Sequence, residues 1–202
     1  MKFTSLFMSA VLSALCLPFM AYAATPAKSA PKVWQQEPKS FLGLTFESAS
    51  VAALPQCRPV TLSAPNRTEM CREESYSTDY YSLDGLPSLG LAYHQTLGVK
   101  VAGAQVEYFY LSGSTNDFEK VRQLFTEKYG PPTSSAAPVV KTKVGATFTN
   151  DTLTWQGSTV QIVLERYSDD INTFGASINN LKVTAAKAGE AASELKSNAS
   201  KL

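Results

Sequence analysis

Between residues 97 and 111, apolar and polar positions alternate with a period of two, reverse at Ala102-Gly103-Ala104, and alternate again. Leu97, Val99 and Val101 lead into the reversal, and Val106, Tyr108 and Tyr110 alternate with Glu107, Phe109 and Leu111 on the way out. A half-buried strand imposes that period, so the stretch predicts a β-hairpin. The period then changes. Phe118, Val121, Leu124, Phe125 and Tyr129 recur at helical spacing behind a capping Ser114 or Thr115, with Asp117 and Glu119 in the first turn and Gly130-Pro131-Pro132 at the exit. That pattern predicts a helix over 116–129. Alternation also predicts strands at 41–46, 144–150, 153–156, 159–167 and 173–181, with turns at Asn150-Asp151, at Gly157-Ser158 and across 168–172. The segment 48–54 reads as a short helix or turn stopped by Pro55, 58–62 as a brief strand, and the polar stretch 63–81 as a long loop. Runs of strands around one amphipathic helix indicate an α+β domain: an antiparallel sheet of about five to seven strands with the helix packed on one face.

The two ends read differently. Lys2, an apolar run over 6–20 closed by Pro18 and Phe19, and Ala21-Tyr22-Ala23 form a signal-peptide pattern with cleavage after Ala23. The run is short for a membrane span and carries a helix-breaking proline. Leu15 precedes Cys16 where lipid attachment needs a small residue, so the mature form is expected to carry no anchor and to reside in the periplasm or outside the cell. Residues 24–40 are rich in proline and small residues and read as a flexible linker. Trp34 is its one large apolar side chain, expected to dock on the domain in preference to a partner. The domain itself spans 41–182. Residues 183–202 form an Ala-rich tail, helical or disordered, in which Ala188, Ala191, Ala192 and Leu195 offer only a thin apolar stripe.

Charge and cysteines narrow the partners. The formal net charge is +1, and removing Lys2 with the leader brings it to zero, without the basic stripe a nucleic-acid binder needs. After cleavage only Cys57 and Cys71 remain, an even count in an oxidising compartment and without the spacing of a redox or zinc motif, so they are expected to form a structural disulfide.

Candidate chemistry is sparse. His94 is the single histidine, and no Gly-x-Ser-x-Gly elbow, phosphate loop or calcium loop accompanies it, so no metal site or cofactor is expected. Glu73-Glu74 and Asp169-Asp170 are the paired acids that a hydrolase would draw on, although neighbours in polar segments usually point apart. Tyr76, Tyr80 and Tyr81 are expected to lie on the disulfide-tethered loop, with Tyr93 shortly after. Such rings either supply a contact surface with polar tips or fill the edge of a core.

Taken together, Phe41-x-Gly43-x-x-Phe46, Cys57 and Cys71, Lys128-Tyr129-Gly130-x-Pro132 and Leu153-Thr154-Trp155-Gln156-Gly157 resemble a pattern found in small uncharacterised exported proteins of bacteria. The resemblance implies a similar one-disulfide domain over about 41–182 and no activity. Two functions fit these observations. One is an exported, non-enzymatic binding or envelope-accessory module whose sheet face or tethered loop contacts an envelope protein or cell-wall component. The other is a carboxylate-dependent hydrolase of an envelope polymer using Glu73, Glu74, Asp169 or Asp170.

Overall fold

The computed structural model describes residues 34–58 and 69–202. The leader, most of the linker and residues 59–62 of the brief strand expected at 58–62 lie outside the described residues. None of the described helices is long and apolar enough to cross a membrane.

The chain opens with a tight hairpin, β1 (Ser40–Phe41) and β2 (Leu44–Thr45), followed by a short helix α1 (Ser48–Ala52). Sequence alternation predicts one strand over 41–46, but Leu42 and Gly43 both take positive φ, 47° and 88°, and reverse the chain between Phe41 and Leu44. Two consecutive positive φ values define the two-residue turn that matches strand twist. The reversal buries Phe41 and Leu44 together.

Eight strands then form one antiparallel sheet in the order β3-β4-β5-β6-β12-β11-β10-β7. Its centre follows the expected pattern: β5 (Gln95–Ala102), β6 (Gln105–Ser114), β10 (Thr152–Gln156), β11 (Val160–Glu165) and β12 (Thr173–Asn180). The sheet is larger than the expected five to seven strands, and the additional strands lie at its two edges. At one edge, β3 (Cys71–Glu74) lies inside the stretch 63–81 expected to be a polar loop, and it pairs with β4 (Tyr80–Asp84), which begins at the end of that stretch. At the other, β7 (Ser134–Ala136) pairs with β10. A separate hairpin joins β8 (Val139–Lys141) to β9 (Thr147–Thr149), so the strand expected over 144–150 is shorter and has a partner that was not anticipated. Edge strands need no apolar alternation, and charge or small polar residues on them discourage pairing with other chains.

One face of the sheet carries the core. The register aligns Val99, Phe109, Ile178, Ile162 and Trp155 in one row, and Leu83, Leu97, Leu111, Ala176, Leu164 and Leu153 in the next, all buried. Helix α2 (Phe118–Tyr129) covers them with Phe118, Val121, Phe125 and Tyr129, entered through a 3-10 turn over Thr115–Asp117 that Ser114 caps. Gly130, at φ 77°, ends the helix in a conformation that glycine adopts without strain. Buried Asp117 accepts from the Ala92 and Tyr93 amides at 3.0 and 2.9 Å, tying the approach to β5 onto the start of α2. The Arg166 guanidinium lies 4.2 Å over the Phe118 ring and binds Asp151 and Glu119, which fastens the other flank of the helix. The C-terminal tail forms α3 (Leu181–Ala199), a helix with no buried residue, whose Lys187 reaches Glu107 beside the β5–β6 turn.

The Cys57–Cys71 disulfide is present, with Cα atoms 4.9 Å apart. Backbone hydrogen bonds from Cys57 to Arg72 and from Arg72 to Pro55 reinforce it, so the segment after α1 runs along β3.

Candidate functional site

Helix α2 leaves the opposite face of the sheet uncovered. Because side chains alternate across a strand, this face is built from the positions between the core rows. One row holds Tyr80, Lys100, Tyr108, Asn179 and Gln161, and the next Ser82, Gly98, Tyr110, Ser177 and Val163. Tyr80, Tyr108 and Tyr110 are half-buried. The Tyr80 ring lies over Gly98, where a Cβ would overlap its hydroxyl, and Tyr110 lies over Gly175, where a Cβ would stand 2.6 Å from its hydroxyl. Glycine at these two positions lets the rings settle onto the backbone. Tyr110 and the Ser168 hydroxyl are 2.5 Å apart. Burial pushes the Tyr80 phenol above its ordinary value, with Tyr108 and Tyr110 adding to the shift. Burial also raises Tyr110, which Asp169 and Glu165 reinforce against the opposing Ser168 hydrogen bond. Both therefore stay protonated at neutral pH and present hydroxyls that donate and accept.

The sequence-derived tyrosines do not form one patch. Tyr80 lies on the open face, while Tyr81, one residue on, points to the core side with the Arg72 guanidinium 5.5 Å from its ring. Tyr76 is fully exposed in the β3–β4 connection, and Tyr93 is half-exposed on the segment pinned by Asp117. Sequence reading missed Tyr108 and Tyr110 because they were absorbed into a hairpin. Their i, i+2 spacing was the available signal, since it places both on one face.

The paired acids are kept apart. Glu73 and Glu74 are exposed on β3, whereas Asp169 and Asp170 are exposed in the β11–β12 turn. Four strand spacings separate β3 from β12, which is about 19 Å at the usual interval. That exceeds the separation of about 10 Å or less at which two carboxylates flank a glycosidic bond. Asp170 accepts from the Asn172 amide and shapes its own turn. His94 is exposed, and no group of three or more His, Cys, Asp or Glu side chains among the described residues is arranged to hold a metal.

A second constellation lies at the N-terminal segment. Trp34 is buried, donates from Nε1 to the Tyr129 carbonyl at 2.7 Å, and meets the Tyr129 ring edge-on. Three residues later, the Glu37 carboxylate accepts five hydrogen bonds from the β10–β11 turn. These come from the Ser158 amide and hydroxyl at 3.1 and 3.0 Å, the Thr159 amide and hydroxyl at 2.5 and 2.7 Å, and the Val160 amide at 2.6 Å. The segment that composition places in a linker is thus fixed to the domain at both residues. Burial alone would raise the Glu37 carboxyl, but the bonds from Thr159, Val160 and Ser158 outweigh it and hold it at about 2.

This clasp makes a pH prediction. The folded-state value lies below the ordinary 4.5, so the stabilisation is complete above that pH and is lost as pH falls toward 2. After discounting for contact with solvent, the contribution is about 1–2 kcal/mol. Glu37→Gln is expected to lose that amount at pH 7, and the gap from wild type should close as pH drops from 4.5 toward 2. Urea denaturation at pH 7, 4 and 2.5 tests this; a gap that stays constant with pH would show that the carboxylate charge is not the stabilising feature.

Comparison with known proteins finds no matching family model, no similar curated protein and no similar solved structure.

Proposed function

We propose that this chain is an exported, periplasmic binding or envelope-accessory module with no catalytic role, and that it engages an envelope protein or cell-wall component through the open face of its sheet. The observation that carries the reading is the convergence of Tyr80, Tyr108 and Tyr110 on the sheet face that α2 leaves uncovered. Rings seated on glycine lose little freedom when a partner docks, and tyrosine combines contact area with a polar tip. Around them, Ser177, Asn179 and Gln161 supply uncharged donors and acceptors. The resemblance to small exported bacterial proteins and the leader pattern support the compartment, and a disulfide suits it. The separation of Glu73-Glu74 from Asp169-Asp170 weighs against a hydrolase.

Site-specific photo-crosslinking in living cells tests both parts. A benzoylphenylalanine at position 108 is expected to give a discrete adduct, while one at Thr126, exposed on the outer side of α2, gives none. Combining the position-108 probe with Tyr80→Ala and Tyr110→Ala should cut adduct yield about tenfold. Equal adducts from both probe positions, or none from either, would remove the open face as the contact. Amino-terminal sequencing of the same periplasmic material should begin at Ala24; a chain retaining Met1 would overturn the compartment.

A further inference from the structure

The Trp34 and Glu37 contacts differ in kind from the rest of the fold. No backbone hydrogen bond joins residues 34–39 to the other described residues, and strand pairing starts only at Ser40. The segment is held by side chains entering sites that other parts of the chain build. The β10–β11 turn is fixed by strand pairing and by the Gly157 amide donating to the Val160 carbonyl at 2.9 Å. The carbonyl that receives Trp34 belongs to Tyr129 at the end of α2. Beside the seated segment, a cleft of about 150 Å³ is lined by Gln35 and Gln36 of the segment and by Gly130, Pro131 and Thr133 past the end of α2.

Glycine marks both points where the segment passes. A Cβ on Gly130 would overlap the Gln36 amide oxygen, and one on Gly157 would overlap the Glu37 carboxylate. Gly130 needs its positive φ to end α2, but Gly157 is not among the glycines with positive φ. Its missing side chain serves the carboxylate. An anion receptor of five donors, a carbonyl placed for an indole N–H, and space cleared by glycine are the parts of a peptide-recognition site.

We propose that the groove between the end of α2 and the β10–β11 turn is a receptor for a peptide carrying a tryptophan and, three positions later, a glutamate, with a turn between them, and that residues 34–37 of the same chain fill it as an exchangeable strap. This site lies apart from the tyrosine face and does not depend on its role.

The test uses the mature full-length protein labelled with 5-fluorotryptophan. The chain has two tryptophans, so fluorine NMR reads the strap at Trp34 and the core at Trp155 separately. A synthetic peptide of residues 34–40, blocked at both ends and unlabelled, competes with a tethered copy whose effective concentration is of millimolar order. The Trp34 signal is expected to move to its released position as peptide is added, half-way on the order of a few millimolar, while Trp155 stays still. The same peptide with glutamine in place of glutamate should need at least about tenfold more. Gly157→Ala, which crowds the carboxylate and alters neither strap anchor, should place Trp34 at the released position before any peptide is added. A Trp34 signal unmoved by about 20 mM peptide, unmoved by Gly157→Ala, or moving only together with Trp155 would show the segment to be a fixed part of the domain. If Gly157→Ala fails to fold, the wild-type titration decides alone.

Discussion

In urea denaturation, Trp155→Ala is expected to lower the free energy of unfolding by about 4 kcal/mol, with an unchanged dependence on denaturant. Trp155 is fully buried on β10 and stands edge-on to Phe125 of α2, with ring centroids 6.0 Å apart. Its Nε1 donates to the Gly130 carbonyl at 2.8 Å, just past the end of that helix. One side chain therefore joins the sheet to the helix through apolar contact and also satisfies a carbonyl at the helix end. Truncation leaves a cavity and an unpaired acceptor, and both costs fall on the same interface. Trp155→Phe keeps most of the packing and loses only the donor, so its expected cost is about 1–2 kcal/mol. A loss below about 1 kcal/mol for the alanine variant would mean that the ring does not seal this interface.

The second large effect is loss of the disulfide. Cys57 and Cys71 are 14 residues apart, and in the chain-entropy account closing a loop of that size contributes about 3 kcal/mol. The location concentrates the consequence. β3 is an edge strand paired through its ladder only to β4, and the bond anchors its first residue to the segment leaving α1. Replacing both cysteines by serine should lower stability by about 3 kcal/mol, and amide exchange should rise first at Arg72 and along β3. Exchange rising uniformly across the sheet, with β3 no faster than β6, would contradict this local account.

What the sequence disclosed follows from where burial is one-sided. The central strands and α2 were legible because each has one wet face and one dry face, and that contrast writes a period of two or 3.6 into the residues. β3 reads Cys-Arg-Glu-Glu and β7 Ser-Ser-Ala, with no apolar rhythm, since an edge strand is held by backbone pairing to one neighbour. The hairpin at 41–46 hid for another reason: alternation continues through a two-residue reversal, so the pattern of Phe41 to Phe46 fits one strand or two. The tyrosine face depended on strand order. Tyr80 and Tyr108 are 28 positions apart in sequence, and only the placement of β5 between β4 and β6 brings them onto one row. Glu37 was the least visible, because its partners lie more than 120 residues away. The polar Gly157-Ser158-Thr159 turn, rich in donors, was its only trace.

That distance also sets an order of events. Trp34 meets its acceptor 95 residues along the chain, and Glu37 meets its donors 121 to 123 residues along. For a chain delivered amino terminus first, Trp34 has no seat until the end of α2 has emerged, and Glu37 has none until β10 and β11 have emerged and paired. Residues 34–39 thus lack their full set of anchors while most of the rest of the domain is made. The segment closes fully only when β11 arrives, which makes the seating of Glu37 a report that β10 and β11 have paired.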